Sequence, residues 1–511
     1  MKDEIVFLEG ELWYAGAVAY GVKYPISKED FFQLDLRVNR TWNQLNPVFL
    51  SNKGRYIWVE KGKQIVFNRG VIQLDVSDYE LVLAGATLKE AAVIAAQKHY
   101  TPTGTTPNSL AFKVPQYCSW VVLLWSQDQE GILKYARSII ENGYKPGLLI
   151  IDDTWQQDYG VWEFAKERFP DPKKMMEELQ TLGFSVSMWI CPYISPDTPS
   201  RLGEKNGIFD HLEADTLIMN GDIPRFAHWW EGFSAGLDFT KPQAKKWLNE
   251  QTKRLENNYG VVGFKLDGCD PPYWGEDYAD GNLQSTLWVD SIDNSLKEAR
   301  ACYRLAGQPI IQRLNDKAHR WDSDPDELVL GLSSLLPSIM AQGLVGYYYG
   351  CPDMVGGGMS RDFVDKSWLD DELIIRWCQA SALLPMIQFS LDVWNRKQNR
   401  VAECCKKALE LRETLTPYLV EMLEYASKTG IPAVRYLEFD YPNQGLAFIK
   451  DEFMLGDKYL VAPVLEKGAL ARKIVFPDGK WKDIYDGKEY EKGEYSVSAP
   501  IDKLPVFEKI K

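Results

Sequence analysis

Residues 260–270 read GVVGFKLDGCD. The apolar run before Lys265 contains β-branched residues and reads as a buried strand. Lys265 and Asp267 stand two apart, so on a strand they point to the same side. An ammonium and a carboxylate at the end of a buried strand are costly unless they pair well or do chemistry. K-x-D alone fits either an ion pair that only orders the core or a reacting pair. The surrounding sequence decides between them.

On both sides of this stretch, strand and helix patterns alternate. Strand candidates fall at 119–125, 147–152, 184–190, 235–239, 260–267, 308–313, 345–349 and 385–389. Helical periodicity occupies 129–142, 171–182, 241–258, 284–305, 327–343, 369–384 and 399–427. Eight strands alternating with helices is the count of a (β/α)8 TIM barrel, an α/β fold. A doubly wound sheet is the competitor, but it usually has fewer strands and a glycine-rich first turn. Residues 1–112 instead alternate short apolar runs with turn residues, the pattern of an N-terminal β-sandwich domain. After about residue 430 that pattern returns, with turn signals such as PDGKW at 477–481. The expected domains are thus 1–112, a catalytic barrel over 113–428, and a C-terminal β-sandwich over 429–511.

Composition narrows the function. The 511 residues carry a formal charge of −14, which argues against nucleic acid or an anionic membrane as partner. The N-terminus, MKDEIVFLEGELWY, is acidic where a signal peptide needs a basic start, and no apolar stretch is long enough to span a bilayer. A cytoplasmic location is the expectation. The eight cysteines show no C-x-x-C spacing and read as reduced, buried thiols. With only four histidines, a histidine metal site is not expected, and no cofactor is implied. Aromatic residues make up 13%, which suits sugar faces and large cores alike.

Barrel enzymes react at the C-terminal strand ends. Those ends carry Trp125, Asp152, Asp153, Trp189, Asp238, Asp267, Arg313, Asp353, Ser390 and Asp392. Carboxylates with indoles, and no phosphate loop, point to glycoside hydrolysis, which needs one carboxylate and one protonated carboxyl at a glycosidic bond. Asp238, before Thr240 and Pro242, reads rather as a helix cap. Trp125, Trp155 and Trp394 fit core packing as well as sugar platforms. The long 194–234 loop, with His228, Trp229 and Trp230, fits either a substrate cover or a homo-oligomer contact.

Several segments taken together resemble glycoside hydrolase family 31. They include IDDTW (151–155), MWICPYISP (188–196), GLDFTKP (236–242), FKLDG (264–268), RWDSD (320–324), GYYYGCPDMVGGG (346–358) and FMLGDKYLVAPVLEKGA (453–469). GYYYGCPDMVGG and PMIQFS (385–390) are most similar to the family's α-galactosidase-like branch, and SLDVWN (390–395) lacks the histidine of its α-glucosidase pattern. The resemblance implies a retaining, exo-acting α-glycoside hydrolase taking a small oligosaccharide or glycoside, α-galactoside first and α-glucoside next. It makes Asp267 the nucleophile and Asp324, three after Trp321, the acid/base, with Asp322 its rival. Lys265, Trp189, Arg313 and Asp353 match sugar-binding residues, and Asp152 or Asp153 would hold a distal hydroxyl. The two catalytic carboxyls should lie ~5–5.5 Å apart. Lys265 should keep Asp267 ionised, and burial should keep Asp324 protonated. A catalytically silent sugar-binding protein and a transglycosylase are the alternatives.

Overall fold

The computed structural model describes residues 3–196, 215–275 and 280–511, so 197–214 of the long loop lie outside the described residues. The chain divides into two compact units. One holds residues 1–37, 43–113 and 304–511, the other 38–42 and 114–303.

In the second unit five parallel strands lie side by side. Their order is Lys297–Ala299, Gly263–Leu266, Ser185–Ile190, Leu148–Ile151 and Gln116–Cys118. Trp189 stands opposite Lys265, and Lys265 opposite Glu298. This register brings the residues just past the strands, Asp152, Cys191, Asp267 and Arg300, to one end of the sheet. The returning helices have explicit start and stop signals. Gln129–Glu141 is capped by Asp128, whose side chain accepts from Gly131 N. Pro172–Thr181 is capped by Asp171 with proline in its first turn. Pro242–Tyr259 ends at Gly260, whose φ of 67° suits a residue without Cβ. Asp238 does not cap that helix; its Oδ1 instead accepts from Thr240 N, Thr240 Oγ1 and Gln284 Nε2.

Two expected strands and one expected helix fold otherwise. The first is Gln116–Cys118, and Trp120–Leu123, inside the expected 119–125, is a helical turn closed at Leu124 by a φ of 51°. Residues 235–239 are no barrel strand, because Gly232–Gly236 pairs antiparallel with Phe226–Trp229. The expected helix 284–305 stops at Asp290, and Lys297–Ala299 is a strand of three residues, too short for an alternation to register.

The first unit carries Ile311–Arg313 paired in parallel with Gly350–Cys351, and the short strand Gln388–Phe389. The eight strands of the (β/α)8 barrel divide five and three between the units. Tyr347, Tyr348 and Tyr349 are buried just before Gly350. Six antiparallel strands of the N-terminal domain form one sheet, and six strands after residue 430 form another around Trp481, Phe476 and Phe507. All eight cysteines are buried, and none is in a disulfide. Among the described residues, no helix is long and apolar enough to cross a membrane.

One buried cation fixes the approach to strand Gln388–Phe389. Arg412, on helix Asn399–Thr429, donates to the carbonyls of Ala382, Leu384, Phe112 and Pro385 at 2.7–3.0 Å. Arg412→Met should strand these acceptors and cost about 3 kcal/mol. A fall in the thermal midpoint, read by circular dichroism, is the expected result.

Candidate active site

In the second unit Asp152 and Asp153 follow strand Leu148–Ile151 directly and are both buried. Lys265 Nζ lies 2.7 Å from Asp152 Oδ2, and Cys118 Sγ donates to the same oxygen at 2.9 Å. Lys265 thus meets the carboxylate of Asp152, a partner that the K-x-D spacing did not foresee. The reason is register: strand Leu148–Ile151 lies only one strand away from the strand opposite Lys265. Burial pushes the Cys118 thiol well above its ordinary range, and the Asp152 charge pushes it further.

Asp153 points to different partners. Its Oδ1 accepts from Thr154 N at 2.6 Å, Tyr159 Oη at 3.2 Å and Gln156 Nε2 at 3.3 Å. Burial, then the neighbouring Asp152 charge, pushes its carboxyl up to about 7. Trp189 is buried, its carbonyl accepts from Trp155 Nε1, and the Tyr159 ring meets it edge-on at 6.2 Å. Trp155 is core, whereas Trp125 is 49% exposed.

Asp267 is held through Oδ1, which accepts from Gly268 N at 3.1 Å, Arg300 Nε at 3.1 Å and Arg300 Nη2 at 2.9 Å. Arg300 Nη2 also reaches Asp270 Oδ2 at 3.1 Å, and the guanidinium lies 5.9 Å from the Trp230 ring. Arg300 was not foreseen from sequence. It follows the short strand that was read as helix, so its place at a strand end was hidden. The residue after Asp267 must be glycine-like: Gly268 has φ 80°, and a Cβ there would sit 3.4 Å from Cys191, Trp229 and Tyr193.

The first unit has its own cluster. Arg313 Nη1 donates to Asp316 Oδ1 at 2.5 Å and Asp353 Oδ1 at 3.3 Å, and Asp353 Oδ2 accepts from Lys317 N at 2.8 Å. Burial and Asp316 push Asp353 up, against the pull of Arg313. Asp353 has φ 75°, an uncommon conformation for a side-chain-bearing residue. Asp316 was missed from sequence, although it follows Arg313 by three residues. Asp322 is exposed and paired with Arg320, which holds its carboxyl below the ordinary range. Asp324 is exposed too, in a turn where its Oδ1 accepts from Asp326 N and Glu327 N. The expected burial of Asp324 is not found, because the turn 324–329 closes on its own main chain through two Asp324–Val329 bonds. Among the described residues no cluster of His, Cys, Asp and Glu could hold a metal ion.

The profile described as the glycosyl hydrolases family 31 TIM-barrel domain matches residues 113–422. The chain belongs to glycosyl hydrolase family 31. The family's C-terminal domain matches residues 430–510. The myogenesis-regulating glycosidase of Mus musculus is 30% identical over 426 residues, 80% of this chain and 58% of that protein. Alpha-glucosidase 2 of Bacillus thermoamyloliquefaciens is 25% identical, over 75% of this chain and 50% of that protein. The chain thus spans about half the length of these relatives. Among solved structures, a family 31 α-xylosidase from a soil metagenome, complexed with xylose, shares the fold with a TM-score of 0.80. It is 21% identical and covers 100% of this chain and 79% of its own.

The raised carboxyl of Asp153 has a stability consequence. The folded protein holds this proton up to about pH 7, while an unfolded carboxyl loses it near 3.8. Its contribution is therefore fully present below the unfolded value and is lost as pH rises through 7. Asp153→Asn, which cannot ionise, should gain thermal midpoint relative to wild type between pH 5 and pH 8. Parallel melts at the two pH values measure it, and an unchanged difference would contradict the assignment.

Proposed function

We propose that the protein is a retaining, exo-acting α-glycoside hydrolase, with an α-galactoside as preferred substrate and an α-glucoside next. The observation that carries this reading is Asp267, at the end of a buried strand, with one oxygen held by a guanidinium and a main-chain amide. A nucleophilic carboxylate must be ionised and aimed, and an adjacent cation favours the charged form. In this proposal Arg300 supplies that cation.

Asp267 attacks the anomeric carbon while Asp324 protonates the leaving oxygen, giving a glycosyl-enzyme ester. Asp324 then takes a proton from water, which attacks the ester and releases the sugar with retained configuration. Asp322 fits the acid role poorly, because Arg320 favours its charged form. The Lys265–Asp152 pair and Asp153 provide buried donors and acceptors for sugar hydroxyls, and Arg313 with Asp353 does so in the first unit. The α-galactoside preference rests on the similarity of GYYYGCPDMVGG and PMIQFS to the α-galactosidase-like branch, and the 30% identity to a glycosidase supports an α-glycosidase reading more generally. The expected cytoplasmic location is part of the same proposal.

The test is hydrolysis of 4-nitrophenyl α-galactoside, α-glucoside, α-xyloside, α-N-acetylgalactosaminide and α-sulfoquinovoside. One member should turn over, and Asp267→Ala should reduce kcat at least ~10⁴-fold, as expected for loss of a covalent nucleophile. Near-wild-type turnover in that variant would sink the assignment. Arg300→Met should lower kcat by roughly 10–100-fold and move the acid limb of the kcat/KM profile to higher pH, since Asp267 loses its cation. Arg300→Lys should recover part of both effects.

A further inference from the structure

The segment that carries Asp324 folds back on itself. Leu330 O accepts from Ala318 N, Arg320 O from Leu332 N and Trp321 O from Ser333 N, each at 2.9 Å. Such bonds fix the shape of the segment but not where it stands against the barrel. Side chains reach outward for that. Trp321 Nε1 donates to Asp370 Oδ2 at 3.0 Å, and Asp362 Oδ2 accepts from His319 N at 2.9 Å. Asp370 Oδ2 also meets Lys467 Nζ at 2.8 Å, while its Oδ1 accepts from Glu372 N and Leu373 N and caps helix Asp371–Ala382. Burial opposes the charge of Asp370, but the bonds from Lys467, Trp321 and Leu373 outweigh it and hold the carboxyl below its ordinary range. The main-chain amide of Asp370 donates to His319 Nε2 at 2.9 Å. His319 Nδ1 lies 2.8 Å from Gly356 O, an acceptor, so that nitrogen carries the proton and the ring is neutral. Burial favours the neutral ring. Asp370 thus joins the acid segment, the loop after Asp353, the start of a helix and, through Lys467, the C-terminal domain.

We propose that Asp370 is a positioning residue for the acid step: through the Trp321 indole it sets where the Asp324 carboxyl stands. Trp321 precedes Asp324 by three residues, and the 324–329 turn closes directly beyond it. A rotation about Trp321 therefore swings the turn and its carboxyl together. Proton transfer to a leaving oxygen needs hydrogen-bond reach, and a misplacement of about 1 Å is enough to cost roughly 10²-fold. The inference rests on the proposed reading of Asp324 as the acid.

The test separates acid catalysis from folding by leaving group. A phenolate needs a proton as it departs, whereas fluoride needs little help. The substrates are the phenyl α-glycosides and the α-glycosyl fluorides of galactose and glucose, and kcat/KM is read for each. Asp324→Asn should lose at least ~100-fold on the phenyl glycoside and less than about fivefold on the fluoride. Asp370→Ser keeps a helix-capping hydroxyl but is too short to reach the indole. It should lose roughly 10–100-fold on the phenyl glycoside and less than about threefold on the fluoride. Trp321→Phe breaks the same bond from the other side and should show the same selectivity. The double variant should stay within about twofold of the weaker single variant, because both changes remove one bond. Equal losses on both substrates, no loss, or losses that multiply in the double variant would overturn the proposal. The two readings fail separately. A selective Asp324→Asn with an indifferent Asp370→Ser removes the positioning role and keeps the acid. An Asp324→Asn without selectivity removes the acid reading, and the positioning role with it.

Discussion

The ion pair between Lys265 Nζ and Asp152 Oδ2 has side chains only 4% and 3% exposed, and the strand ends of the second unit are arranged around it. Two charges taken out of water are tolerated only when they meet closely and their remaining valences are filled. Lys265 meets Asp152 for that reason, and at the neighbouring strand end Arg300 meets Asp267 at 2.9 Å. Arg300 also serves Asp270. Asp153, beside these pairs, meets hydroxyl and amide donors instead, and its carboxyl keeps a proton to near neutrality.

The first unit solves a similar problem with different parts. Arg313 is shared by Asp316 and Asp353, and a main-chain amide, that of Lys317, supplies the second bond to Asp353. A guanidinium suits this sharing because its donors are fixed in a plane and can serve two acceptors at once. The left-handed backbone at Asp353 turns its carboxyl back onto the segment that follows Arg313.

Much of this was legible in the residues. GVVGFKLDG announced a buried strand with a charged end, and Gly263–Leu266 is that strand. The alternation of strand and helix gave the barrel. Register was not legible, because which carboxylate meets Lys265 depends on a strand more than a hundred residues away. Arg300 was hidden for a different reason. Lys297–Ala299 has three residues, and its neighbours fit a helical period as well as an extended one. At 119–125 the apolar run SWVVLLW was genuine burial signal, but part of it folds as a helical turn after the strand. Hydrophobic patterning reports what is buried before it reports in which conformation.

The bond from Cys118 Sγ to Asp152 Oδ2 bears on reagents rather than on substrates. A thiol attacks electrophiles, oxidants and alkylating agents only after it has lost its proton. Here the proton is engaged by a carboxylate, and burial opposes its departure. Cys118 thus stands beside a proposed reaction centre as a chemically quiet donor, and oxidative stress or iodoacetamide has no easy route to the pocket through it. Sulfur in this position acts as a bulky, weakly polar substitute for a serine hydroxyl, orienting Asp152 without adding a reactive group of its own.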